Sequence, residues 1–406
     1  MGHGHAHRAG HDDDLEVGAV PRTVLLSVLA AALALTVLGL VTLWPDGGEV
    51  DDLRGSVSFA AEGVTFPEAT VEEVAPVCAS LAEPREGCGT LEVTVADGAD
   101  KGVVTQVEVP AQVTDAGLEG GDRVELVRTP SAAGEPATFA YFNIERSPSL
   151  WLLAGLFALV VVVVARWRGL MSLVGLGFAG AVVGMFVLPA LLVGESPVPV
   201  AVVGAVAIMY VVLYTTHGFS IRTSAALAGT LGGIGLTAAL GAWAVGASHL
   251  TGVTDESGGL LSTYADGLDF QALLVAAVVV AGLGVLNDVT ITQASAVWEL
   301  RAAAPAMTRR SLFASAMRIG RDHIASTIYT IVFAYAGTGL LLLLVVSLYD
   351  RPLLDLAGTD EIASEIVRSL TSSIGLVLAV PLTTAIAALT VPGPATPPVV
   401  EPHTTG

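Results

Sequence analysis

Asp288 stands in an otherwise apolar stretch, Gly282-Leu283-Gly284-Val285-Leu286-Asn287-Asp288, which continues as Val289-Thr290-Ile291-Thr292-Gln293. On a helix Asp288 and Thr292 share one face, and Ser295 extends it. A carboxylate at membrane depth costs at least about 2.5 to 3.5 kcal/mol unless it is paired or hydrated, so Asp288 is a candidate for handling a proton or a cation. The competing reading is an Asp that marks the cytoplasmic interface or pairs with Arg301 or Arg321. A second cluster, Thr215-Thr216-His217-Gly218-Phe219-Ser220, offers His217 and Ser220, either as a proton carrier or ligand or as a plain helix-end cap. In a third stripe Arg318, Asp322, Ser326 and Tyr329 fall on one helical face, with Arg321 beside it. As an exposed pair, Arg318 and Asp322 would contribute only roughly tenths of a kcal/mol. The candidate polar cluster is therefore His217, Ser220, Asn287, Asp288, Thr292, Gln293, Arg318, Arg321 and Asp322.

The elements that must hold these residues are set by composition. The 406 residues are 53% apolar and only 14% charged, far from the roughly 25% charged residues of an average soluble chain. An integral membrane protein follows, with the lipid bilayer as its first partner. Acidic residues outnumber basic ones 38 to 18, giving a net charge of -20. Nucleic-acid binding is excluded, because neutralising phosphates needs clustered Lys and Arg. No nucleophile elbow, phosphate loop or zinc-protease helix motif occurs, so the chain is not expected to be an enzyme. No cofactor or metal is expected either.

Apolar runs long enough to cross about 30 Å of hydrocarbon fall near 24–44, 148–165, 170–193, 198–214, 223–247, 270–286, 325–348 and 366–390. The fold class expected is mainly α, a polytopic transmembrane bundle of about eight spans with an inserted small extracytoplasmic β-rich domain. Arg166, Arg168, Arg222, Arg301, Arg309, Arg310, Arg318 and Arg321 fall in the inner segments when both termini are cytoplasmic. A seven-span alternative, with 198–214 in the interface, would put Arg222 and the basic 299–322 stretch outside. The runs 198–214 and 270–286 are short and end in polar residues, the pattern by which transporters line a cavity. Gly180 with Gly184, and Gly229 with Gly233, read as small-residue packing faces.

Residues 1–22 read as a disordered His-rich and acidic leader, 23–44 as a transmembrane anchor helix and 391–406 as a disordered tail. Between anchor and bundle, 45–147 carry 20 acidic and 6 basic residues in a period-two, turn-punctuated pattern. Short strands are expected at 55–59, 91–95, 103–109, 123–127 and 139–142, suggesting a small barrel, OB-like among the known types. Cys78 and Cys88 both fall in this block, where an oxidising compartment favours a disulfide over two free thiols.

Several stretches of 148–390, the seven-helix membrane domain, resemble one family. They are Gly282 to Thr290, Ala316-Met317-Arg318-Ile319-Gly320-Arg321-Asp322, Ala334-Tyr335-Ala336-Gly337, and Glu361 to Leu370 with Ser373-Ile374-Gly375-Leu376. In order and spacing they are similar to the bacterial YibE/F-like membrane proteins. The resemblance implies a multi-pass architecture in the bacterial plasma membrane and supplies no catalytic residues. Asn287 departs from the apolar residue expected before the Asp. Two functions remain: a permease-like carrier or channel for a small solute or ion, and a non-transporting anchor, sensor or assembly protein whose outer domain binds an envelope protein. The topology has a direct check. A cysteine placed at Ser257 should react with an impermeant thiol reagent on intact cells, and one at Ala304 should not; the opposite pattern would invert the orientation.

Overall fold

The computed structural model describes residues 17–56, 59–76, 88–131, 136–253, 256–264, 267–348 and 352–395. The leader histidines and most of the tail lie outside these residues. In chain order the elements are α1 (Ala19–Thr42), α2 (Gly47–Ser56), β1 (Glu68–Ala75), β2 (Cys88–Val95), β3 (Val104–Pro110), α3 (Ala111–Thr114), β4 (Arg123–Thr129), β5 (Thr138–Ile144) and α4 (Ser147–Val182). A π-helical turn, Val183–Val187, leads into α5 (Leu188–Leu192), α6 (Pro197–His217), α7 (Ile221–Ala247), α8 (Glu256–Tyr264) and α9 (Phe270–Ala303). The chain continues as α10 (Arg309–Thr338), α11 (Leu340–Ser347), α12 (Leu353–Leu356) and α13 (Asp360–Thr390). Two compact units result, Gly55–Val163 and the remainder.

In the smaller unit, alternating Val, Leu and polar residues give half-buried strands. The antiparallel sheet has the order β3-β2-β1-β4-β5, and β3 and β5 lie against each other, so it is nearly closed. Register breaks after Val71 and after Glu125 supply the curvature that closure needs. Ala69, Val71, Leu91, Val93, Val107, Val124 and Leu126 fill the inside, each larger aliphatic contributing about 1.5 to 3 kcal/mol. The expected strand at 55–59 is absent: Gly47–Ser56 is helical, and the first strand is β1, whose Glu72-Glu73 pair falls at a bulge and breaks the alternation. Cys88 opens β2, whereas Cys78 lies outside the described residues.

In the larger unit six helices are long and apolar enough to cross a membrane, or seven when the bent pair α10 and α11 counts as one span. Ser147–Leu192 forms one of the six, 46 residues long. It joins the expected spans 148–165 and 170–193, because helical hydrogen bonding runs across the basic turn. The break there is confined to Arg166, at φ 55° and ψ -132°. The expected short span 270–286 is also revised. Asn287 and its neighbours include no Gly or Pro that would stop a helix, so α9 runs unbroken for 34 residues and Asp288 lies in mid-helix.

The core of this unit is α7, α9 and α13. Between membrane helices lipid removes the hydrophobic drive, so small residues and close backbone approach must supply the contact. A Cβ built on Gly229 would lie 2.1 Å from the Thr383 hydroxyl, and one on Gly375 would lie 2.1 Å from the Thr237 hydroxyl. Gly233 is closed over by Leu286 and Ala379. Gly180 and Gly184, in contrast, have nothing within 4 Å of a built Cβ and are no packing face. Gly375→Val should lower stability by about 1 to 3 kcal/mol through overpacking, while Gly284→Ala, in open space, should be close to neutral. Thermal unfolding of the full chain in one detergent compares them.

Candidate functional site

The packing of α9 against α7 and α13 fixes which of its residues can do anything else. Leu286, Val289, Thr290, Gln293 and Val297 are buried on one face. Thr290 and Thr230 place their hydroxyls 2.6 Å apart across α9 and α7. Asp288 and Thr292 are thereby turned outward and are exposed.

Asp288 faces α10, where its Oδ2 lies 3.7 Å from His323 Nε2. The imidazole is its ion-pair partner, rather than Arg301 or Arg321. Arg301 is buried and spends its Nη1 on the carbonyls of Pro305 and Met307, at 3.0 and 2.7 Å. Arg321 and Asp322 are exposed, and Arg318 donates to Ser315 Oγ at 2.9 Å instead of to Asp322. Gln293 is buried and donates to the carbonyl of Ala316 at 2.9 Å. Gly320 makes room for that contact, since a built Cβ there would lie 2.9 Å from Gln293 Oε1.

His217 and Ser220 serve a helix junction. Gly218, at φ 79°, ends α6; Thr216 Oγ1 lies 2.7 Å from His217 Nδ1. Ser220 caps α7 by accepting from the amide of Thr223 at 3.1 Å. Among the described residues no hydrogen bond or ion pair joins this junction to Asp288 or Asp322. The structure thus divides the sequence candidates: Asn287, Asp288 and Gln293 share α9 with contacts to α10, while His217 and Ser220 stand apart. Among the described residues no three His, Cys, Asp or Glu side chains converge as metal ligands would.

The seam between α9, α10 and α13 holds features that the sequence did not reveal. His323 Nε2, Asn287 Oδ1 and Ser372 Oγ are buried atoms with no hydrogen-bond partner. A cavity of about 260 Å³ is lined by Val285 of α9, Thr330, Ile331 and Tyr335 of α10, and Ser372 of α13. A second, of about 330 Å³, lies among α10, α11 and α13 and includes Tyr335, Glu365 and Ser369. Glu365 pairs with Arg368 at 3.0 Å. His217, Asp288 and Asp322 line neither cavity. The signal for His323 was its place directly after Asp322, which drew attention to the wrong side of α10; Tyr335 and Ser372 resemble ordinary span residues.

A model of the YibE/F-like protein family matches residues 153–393. The chain belongs to the YibE/F-like family. The match begins in α4 and spans the helical core with the seam, so the β strands of this YibE/F-like protein lie outside it. No curated protein and no solved structure matches the chain. In this family member Gln293→Leu leaves the Ala316 carbonyl without its donor and should cost about 1 to 3 kcal/mol of stability. Thr292→Ala, on the exposed face, should change it by less than about 0.5 kcal/mol. Thermal unfolding read beside urea resistance tests the pair.

Proposed function

We propose that this YibE/F-like protein is a multi-pass permease-like carrier or channel of the bacterial plasma membrane that moves a small solute or ion. The observation that carries the reading is the seam itself. Buried polar atoms in proteins are almost always hydrogen-bonded. Inside a bilayer, unsatisfied ones are tolerated chiefly where water or a solute reaches them. Asn287 Oδ1, His323 Nε2 and Ser372 Oγ occur on three adjoining helices. Helix interruptions support the same reading, as transporters use them at their cavities: α10 and α11 meet at 66°, and Pro381 lies inside α13.

In this reading the break at Arg166 separates two spans. The bundle then has eight, both termini are cytoplasmic, and the β unit is extracytoplasmic. The strand neighbours β1-β2-β3, β5-β4-β1, with α3 between β3 and β4, support an OB-like barrel. The role is non-enzymatic, with Asp288 and His323 as the charged pair at the cytoplasmic end of the seam.

A second reading rests on the β unit. Phe59, Phe66 and Phe142 form a cluster with ring centres 5.1 to 5.9 Å apart, and Phe59 is 78% exposed. Exposed aromatics mark partner surfaces, which favours an anchor or sensor that binds an envelope protein.

Flux in proteoliposomes separates the two. Asp288→Asn removes the charge at nearly constant volume and should abolish coupled flux of protons or cations, while thermal stability stays within about 1 kcal/mol because the residue is exposed. A well-folded variant that transports like the wild type would remove Asp288 from the mechanism. Absence of flux from both would favour the anchor.

A further inference from the structure

We infer that the seam between α9, α10 and α13 is a hydrated route for a small uncharged polar solute, divided into an inner and an outer chamber by the side chain of Tyr335. This rests on the permease reading and assigns it a path and a class of cargo.

Tyr335 lines both cavities. The chamber toward Asp288 holds the hydroxyls of Thr330, Thr338 and Ser372 among Val285, Ile331 and Ala334, and no charged side chain lines it. Ser372 is 5% exposed and its Oγ has no partner. A Ser can normally satisfy itself on the carbonyl four residues back, so an open buried hydroxyl on a cavity wall is a site for a donor or acceptor from outside the chain. The other chamber contains Glu365, whose charge is met by Arg368 at 3.0 Å. Arg368 keeps its Nε buried and unpartnered at that end, as His323 does its Nε2 at the opposite end.

Charge is thus confined to one pair at each end, Asp288 with His323 and Glu365 with Arg368. A bare ion entering the inner chamber would lose its hydration shell with no charged ligand to replace it, a cost of several kcal/mol. An uncharged solute carrying hydroxyl or amide groups exchanges water for the hydroxyls on the wall at far smaller cost.

Tyr335 can move because of where it stands. Its carbonyl accepts from the amide of Gly339 at 2.9 Å, and the helix then turns by 66° into α11. A Cβ on Gly337 would meet nothing, so the last turn of α10 is not locked by neighbours there. A tyrosine one turn before a glycine-flanked break can swing with small backbone rotations, which is how hinges act.

The test reads hydration directly and needs no knowledge of the cargo. Thiols react as thiolates, which need water. Ser369→Cys in the outer chamber, Ser372→Cys in the inner one and Leu344→Cys on the exposed face of α11 are made in the full chain. Each is reconstituted in liposomes, treated with N-ethylmaleimide, and read by site-resolved mass spectrometry so that Cys78 and Cys88 do not interfere. The cysteines at 369 and 372 should react at least about tenfold faster than that at 344, which faces lipid. Tyr335→Ala should then speed labelling of the cysteine at 372 by an impermeant maleimide on the outer side, and Tyr335→Trp should slow it. If Tyr335→Ala does not fold, Tyr335→Leu and Tyr335→Trp give the same comparison. Cysteines at 369 and 372 as inert as the one at 344 would mean a groove filled by lipid and would overturn the route. Reactive cysteines indifferent to the residue at 335 would overturn the divider. The predicted labelling in a protein that passes neither glycerol nor ions would leave a hydrated seam standing and sink the permease reading alone.

Discussion

The contact on which the helical unit depends is the press of a hydroxyl onto a bare glycine backbone, made twice between α7 and α13. Thr383 lies over Gly229, and Thr237 lies over Gly375. Gly229 and Thr237 are eight residues apart, as are Gly375 and Thr383, so each helix presents the same glycine and threonine to the other, reversed. With no hydrophobic drive between helices in lipid, the gain comes from dispersion over closely approached backbone. That approach sets the rotation of α9. Leu286 covers Gly233, and Thr290 meets Thr230. Once those residues point inward, helical geometry leaves Asp288 and Thr292 on the other side.

The outward face of α9 is therefore a product of core packing, and α10 is the helix that meets it. Gln293 reaches the Ala316 carbonyl across Gly320, which draws the first half of α10 close. Beyond Thr327 and Ile331 no residue of α10 is fully buried. The cavities open along that looser second half, up to the bend at Gly339. Tight packing at one end and loose packing at the other is the arrangement expected of an element that moves while its base stays fixed.

Spans and strands were legible where one physical signal dominated. Unbroken apolar runs placed the membrane helices, and alternation placed β2 to β5. The reading failed where two signals conflicted. Glu72-Glu73 interrupts the alternation of β1 because the strand bulges there, a feature visible only once β2 is beside it. Polar residues from Asn287 to Gln293 read as the end of a span, yet nothing in that stretch prevents a helix. Asp288 could be picked out as an ionisable residue in an apolar run, but its partner could not: long-range pairing depends on the rotation of α9, and that depends on glycines whose role is shared between distant helices. Tyr335 and Ser372 carry no local mark at all.

Polarity in a span is a poor guide to function, and the threonines show why. Thr230, Thr290, Thr384 and Thr390 each return their hydroxyl to the carbonyl four residues earlier. A threonine can thus be buried in a membrane helix without needing anything beyond that helix. Thr237 and Thr383 lack such a bond, but both are pressed against glycine, so packing accounts for them. Asn287 and His323 cannot be dismissed in this way, because neither side chain can be fully satisfied by its own helix. Ser372 could be and is not. What sets these three apart is therefore an unmet hydrogen-bonding capacity beside α10, in the part of the bundle where packing is loosest and the side chain of Tyr335 borders open space on both sides.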